Sequence, residues 1–301
     1  MRHAILDHRA LLDHHLWRCP KKAAQRARVD THLTNRHFFD GIVGRDMKFV
    51  QLEQQQGVAL LRLNRGVINA LNLQVLRELS ELLRGVKDDL KVRGLVLASA
   101  NDKFFSIGFD LPELYNLSAE EFRLFFRTYN LLCLDLYTFP KPTVSALTGH
   151  ATAGGCILAL CTDYRLVAEG RRLIGVNEIR LGVPITYLAD CILRQLLGDR
   201  QARDMIYSGK LLSAEEALRV GLVDQVLPAR KVVYEALKKA RDLGEMPRDA
   251  FAACKRLRVQ AIEAQVLSYM EKEEELFIKY WYSSEARQGL KEAIDKFVPK
   301  D

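Results

Sequence analysis

The sequence predicts an α/β protein, and three observations carry that prediction. Strand-like and helix-like segments alternate from residue 58 to about residue 229. One of the strand-like runs, Gly94-Leu-Val-Leu-Ala98, has no polar alternation, as expected of a strand buried on both faces. Beyond residue 229 no strand pattern remains, and the chain reads as helix.

The elements follow in order. The pattern becomes regular at Phe49, and Val58–Leu63 reads as a strand. Residues 73–86 place Leu73, Leu76, Leu79, Leu83 and Val86 three and four apart, which is the spacing of one helix face. Ser118-Ala-Glu-Glu121 is a capping box that opens a helix to about Leu136. Pro142–Leu147 and Tyr164–Ala168 are strands, with a short helix from Gly154 to Thr162 between them. Helices are expected at about 187–197 and 200–207, and Ser213–Glu216 is a second capping box. Residues 230–242 and 248–297 are helical, separated by Gly244 and Pro247.

Three parts are expected: an extension over 1–46, a catalytic core over 47–242 and a helical region over 243–301. The extension differs in composition from the rest. It holds six of the seven histidines, and its nine Lys/Arg against five Asp supply +4 of the net charge of +7. It has no apolar core of a secretory signal, and its five acids argue against a mitochondrial presequence. The expected location is therefore the cytoplasm, with the mitochondrial matrix second. No H-x-x-x-H or Cys/His set points to a metal. The body is close to neutral, with no basic stripe for nucleic acid. No apolar run approaches the roughly 18 residues of a membrane span. The six cysteines lack C-x-x-C spacing and read as reduced thiols.

Three segments could carry chemistry. Phe104-Phe-Ser-Ile-Gly-Phe-Asp-Leu111 follows the buried strand, and Gly108 can adopt a backbone angle that turns an amide inward, or simply make a turn. Gly149-His-Ala-Thr-Ala-Gly-Gly-Cys-Ile157 leads from a strand into a helix start; this suits an anion, or else close helix–strand packing. In Ile174–Pro184 a lone Glu178 lies among apolar residues. There it is either a desolvated base of raised pKa or a surface group paired with Arg180 or Arg172. No G-x-S-x-G, Walker loop or G-x-G-x-x-G appears. His150, the one histidine after residue 46, reads as a packed residue or one that stands just behind a site.

Taken in order, these segments resemble the crotonase (enoyl-CoA hydratase/isomerase) superfamily over residues 47–297. The resemblance rests on Leu63-Asn-Arg65, Asn69-Ala-Leu71, Phe105–Asp110, Lys141-Pro-Thr-Val-Ser-Ala146, Gly149–Cys156, Asp163-Tyr-Arg165, Asn177–Gly182 and Ala217–Asp224. It implies a spiral of repeated ββα units with a helical C-terminal trimerisation region, in a homotrimer or hexamer. It also implies an acyl-CoA thioester as substrate, with coenzyme A as part of that substrate and no separate cofactor. By position, the backbone N–H groups of Phe109 and Gly154 would hold the thioester oxygen. Ala70, Ile107, Gly108, Asp110, Leu111 and Asn177 would contact the substrate.

The family's hydratases use two glutamates. One matches Glu178; the other would stand at position 157, which is isoleucine. Isomerases of the mitochondrial Δ3,Δ2-enoyl-CoA type resemble this chain at both positions. The implied activity is conversion of a 3-enoyl-CoA to a trans-2-enoyl-CoA by the single base Glu178. Hydratase or lyase chemistry, and a weakly active acyl-CoA-binding homologue, are the alternatives. Ile107 stands where the family usually has alanine, and Phe109 is bulkier than usual, so the acyl pocket should be reshaped.

Overall fold

The computed structural model describes residues 47–297. The expected extension over 1–46 lies outside the described residues.

Strands β1 (Val50–Gln55) and β2 (Val58–Leu63) form an antiparallel hairpin. Gln56 and Gly57 both have positive φ (49° and 78°), the requirement of a two-residue turn that matches strand twist. Only Val50 of β1 is buried, so this polar edge strand carries no alternation that the sequence could reveal. Helix α1 (Leu73–Asp88) is capped by Asn72, whose Oδ1 accepts from Val75 N at 3.0 Å. β3 (Gly94–Ser99) is buried at every residue. β4 (Phe104–Ser106), α2 (Leu111–Leu114) and α3 (Ala119–Tyr137) follow, and the capping box expected at Ser118 and Glu121 is present.

Next come β5 (Thr143–Leu147), β6 (His150–Thr152), α4 (Gly154–Leu160), β7 (Tyr164–Ala168) and β8 (Ile174–Gly175). A 3-10 turn (Glu178–Leu181) leads to α5 (Tyr187–Leu197), α6 (Asp199–Ser208) and α7 (Ala214–Val220). The second capping box, at Ser213 and Glu216, opens α7. β9 (Gln225–Leu227), α8 (Ala229–Gly244), α9 (Arg248–Trp281) and α10 (Ser284–Phe297) complete the described chain. The expected helix over 248–297 is thus two helices, broken after Trp281.

The strands make two sheets, ordered β1-β2-β3-β5-β7-β9 and β4-β6-β8. All pairs but β1–β2 are parallel. Alternation of side chains divides the large sheet into two faces. Val58, Leu60, Val96, Ala98, Val144 and Ala146 pack against Val232, Ala236 and Ala240 of α8. Ala59, Leu61, Leu63, Leu95 and Leu97 join the main core with α1 and α3. The approach of α8 is close: a Cβ on Gly94 would lie 2.7 Å from the Ala240 carbonyl oxygen, so only glycine fits there.

Helices α9 and α10 belong to the same compact unit as the sheets. Rings from α3 and α9 interleave: Phe122 stacks on Trp281 with centroids 4.3 Å apart, and Phe126 on Phe277 at 4.0 Å. This packing changes the reading of the apolar tail. A helical tail that serves contacts between subunits should carry apolar side chains on its surface, yet after residue 248 Val259, Val266, Met270, Phe277 and Trp281 are already buried within the chain. Leu257, Leu267 and Leu276 remain exposed.

Candidate active site

The three-stranded sheet sets the site. Its parallel strands each run into one chemistry-bearing segment: β4 into Gly108–Phe109, β6 into Ala153–Gly154, and β8 into Asn177–Glu178. Ligands of open α/β sheets gather at such carboxyl ends.

After β4, Ser106 Oγ donates to Asn69 O at 2.7 Å and accepts from Gly108 N at 3.1 Å. Gly108 has φ +95°, and a Cβ there would lie 2.8 Å from Gly154 N, so both the angle and the space require glycine. Phe109 forms a parallel bridge with Leu71. Leu71 N donates to Gly108 O at 2.8 Å, and Asp110 N donates to Leu71 O at 2.9 Å. In that pattern the neighbours' groups make the bonds, and the N–H of Phe109 points away from Leu71.

After β6, Ala153 holds φ 48° and ψ −133°, an unusual conformation for a residue with a side chain. Its N–H donates to Gly175 O at 2.9 Å, tying β6 to β8. Gly154 then opens α4, where backbone N–H groups have no partner within the helix. Tyr129 Oη donates to Gly154 O at 2.8 Å, bracing this turn from α3.

Glu178 is buried, and its Oε2 has no hydrogen-bond partner among the described residues. Burial pushes its pKa up to about 7, against the opposing pull of backbone N–H groups. Neither arginine of the paired alternative reaches it. Arg180 donates to Ser208 O and Arg172 to Thr148 O. Asn177 Oδ1 is likewise buried and unpartnered.

These segments surround a cavity of about 520 Å³. Phe104, His150, Arg171 and Leu173 line its exposed or half-buried side. Phe109, Tyr129, Phe277 and Trp281 form an aromatic wall, and Ala293 of α10 also contributes. Glu178 is the sole carboxylate among the lining residues, and Ile157 lies in the wall, itself buried. His150 Nδ1 accepts from Leu173 N at 3.0 Å, which leaves the ring proton on Nε2. Burial and then Arg172 and Arg171 hold its pKa below the usual imidazole value.

Of the residues the sequence singles out, Ile107, Phe109, Leu111, Gly154, Asn177 and Glu178 line this cavity. Ala70, Gly108 and Asp110 are not among its lining residues. Asp110 caps α2 and pairs with Arg65 at 2.5 Å, while Arg65 also donates to Ala70 O at 3.0 Å. His150 lines the cavity and also packs on Phe104, with ring centroids 5.1 Å apart. Sequence reasoning does not find Tyr129, Phe277, Trp281 or Ala293, because aromatic and small residues on amphipathic helices look like any core position. Among the described residues no three His, Cys, Asp or Glu are grouped to hold a metal ion.

Parallel strands that deliver one buried carboxylate with a free oxygen and two glycine-bearing turns to a largely apolar cavity make up the crotonase-type α/β arrangement that the sequence leads one to expect. The model of the family described as enoyl-CoA hydratase/isomerase matches residues 53–300, and the chain belongs to that family. It is similar to the mitochondrial enoyl-CoA delta isomerase 1 of Mus musculus, at 30% identity over 83% of this chain and 87% of that protein. It is also similar to the crotonyl-CoA hydratase of Syntrophomonas wolfei, at 28% identity over 81% and 94%. Among solved structures, human mitochondrial delta3-delta2-enoyl-CoA isomerase superposes with a TM-score of 0.78. It is 29% identical and covers 83% of this chain and 98% of that one.

Proposed function

We propose that the protein isomerises a 3-enoyl-CoA to a trans-2-enoyl-CoA. The observation that carries this reading is a cavity with one carboxylate, Glu178, and an isoleucine at position 157 where a second would be needed to activate water. Moving a double bond requires only that one proton leave C2 and return at C4. Glu178 takes the C2 proton as the electrons of that bond form C1=C2 and those of the thioester C=O pass to oxygen. As the C=O re-forms, the C1=C2 electrons make C2=C3 and those of C3=C4 take the same proton from Glu178 at C4. Charge develops on the thioester oxygen in between, and the N–H groups of Phe109 and Gly154 stabilise it. Donors of this kind are each worth about 3–4 kcal/mol. The apolar walls keep water from the protonated glutamate. All steps are proton transfers, and coenzyme A enters as part of the substrate.

The test compares a 3-enoyl-CoA with a trans-2-enoyl-CoA in water. Isomerisation of the first without hydration of the second is expected; brisk water addition would overturn the reading. Glu178→Gln keeps the shape and removes proton acceptance, so turnover should fall by at least ~100-fold with little change in ligand affinity. Because the free enzyme must carry ionised Glu178, kcat/KM should rise with pH through about 7 and then level off.

We also propose a homotrimer, alone or paired into a hexamer. The exposed Leu257, Leu267, Leu276 and Tyr269 along α9 support it. Light scattering at micromolar concentration should give at least three times the chain mass.

A further inference from the structure

Tyr129 stands in the cavity wall but is 0% exposed, so it can act on a bound thioester only through its neighbours. Two of those neighbours carry the N–H groups proposed to hold the thioester oxygen. The Tyr129 ring meets the Phe109 ring edge-on, with centroids 4.8 Å apart. The Tyr129 hydroxyl donates to Gly154 O at 2.8 Å. A Cβ on Gly154 would lie 3.0 Å from the Phe109 ring and 3.3 Å from that hydroxyl, so the Gly154 backbone is seated between the two.

The turn that Tyr129 reaches is strained. Ala153, one residue earlier, holds φ 48° and ψ −133°, a conformation that glycine adopts freely and alanine avoids. Such conformations persist only where the surroundings over-determine them. No side chain caps α4 at Ala153. The turn is gripped instead by Ala153 N, which donates to Gly175 O at 2.9 Å, by Ile157 N, which donates to Ala153 O at 3.0 Å, and by the Tyr129 hydroxyl. The first two bonds are backbone bonds that depend on no side chain. The third needs tyrosine. A carbonyl in the first turn of a helix accepts from the N–H four residues on and has a second lone pair, so α4 can form without the hydroxyl. Burial pushes the Tyr129 pKa well above its ordinary value, so the hydroxyl stays a donor across the range in which Glu178 titrates.

We infer that Tyr129 is a positioning residue: its hydroxyl holds the strained Ala153–Gly154 turn so that the Gly154 N–H stays aimed at the thioester oxygen. This rests on the reading of Phe109 and Gly154 as the oxygen site, but not on the direction of any isomerisation. Preorganised donors stabilise developing charge because they do not have to reorient as it appears. A turn that can relax loses that advantage in the transition state more than in the bound ground state.

The test uses the full chain and a saturated acyl-CoA with an isotope-labelled thioester carbonyl, which cannot isomerise. Infrared difference spectra read the polarisation of the bound C=O, and calorimetry reads affinity. In the wild type the bound C=O band should lie below its position in water. Tyr129→Phe keeps the ring and removes the hydroxyl; about half or more of that lowering should be lost, with affinity changed by less than about twofold. Its kcat with a 3-enoyl-CoA should fall roughly fivefold to fiftyfold, short of the ~100–1000-fold loss of removing a donor outright. Adding Ala153→Gly removes the strain that the hydroxyl opposes and should restore part of the lowering, a recovery that lost packing alone would not show. A Tyr129→Phe band identical to that of the wild type overturns the inference. So does a double variant that recovers nothing. A wild-type band no lower than in water overturns both the inference and the oxygen site beneath it. A chain that shows the lowering and its loss in Tyr129→Phe, yet fails to convert 3-enoyl-CoAs, supports the inference and overturns the proposed reaction.

Discussion

Two places in this molecule bury charge-bearing side chains beside cavities of similar size, and they treat them in opposite ways. Around Asp163 and Arg165 the cavity is about 550 Å³, and the buried Arg165 and Lys255 both have partners. Lys255 Nζ donates to Asp163 Oδ2 at 2.8 Å, and the same oxygen accepts from Thr143 N and Thr143 Oγ1. Arg165 donates to Leu222 O, Thr162 O and Asp224 Oδ2. These groups join β5 and β7 to α9. Around Glu178 the wall is apolar and Oε2 is left with nothing. A buried charge with partners holds structure together. One without partners is held at a cost in stability and can take up or release a proton.

The sharpest way to break this comparison is to orphan a charge on the satisfied side. Asp163→Ala leaves the Lys255 ammonium with only distant contacts to Lys141 O (3.4 Å) and Thr143 Oγ1 (3.5 Å). It should cost about 3–5 kcal/mol in urea unfolding. Adding Lys255→Met should recover part of the loss. A deficit under about 1 kcal/mol would mean that the pair is worth no more than an exposed one.

The complementary change on the Glu178 side should stabilise. In the unfolded chain this carboxyl ionises near 4.5, and in the fold near 7. Below 4.5 both states hold the proton and the residue costs nothing. As pH rises through this window the unfolded state gains, and above about 7 the cost is complete. Glu178→Gln should therefore be more stable than the wild type by up to about 3 kcal/mol at pH 8, with the difference fading toward pH 4.5. Equal melting curves at both pH values would show that the carboxyl is not desolvated. This is the reverse of its expected effect on turnover, so stability and activity separate at one atom.

Much of this contrast is legible from the chain alone. Four strands of the large sheet, both capping boxes and the lone Glu178 among apolar neighbours follow from pattern. The second sheet does not. β4, β6 and β8 are two or three residues long, too short to show a period of two, yet they align the three loops of the site. The conformation of Ala153 is invisible for another reason: alanine carries no sign that its φ will be positive, as a glycine would. The aromatic wall is illegible because Phe109, Tyr129 and Trp281 meet only through tertiary packing across more than 150 positions. How the apolar residues of the helical tail divide between the chain's own core and its outer surface is likewise set by tertiary packing and not by the pattern.

The cavity wall draws on residues from Phe104 to Ala293. That span has a consequence for synthesis on the ribosome. The base and both glycine turns have been made by residue 178, yet Phe277, Trp281 and Ala293 are not. A nascent chain at that stage carries Glu178 without those three residues of the wall. The chamber is complete only when the last helix folds back, so the enclosure of the site waits for the end of the chain.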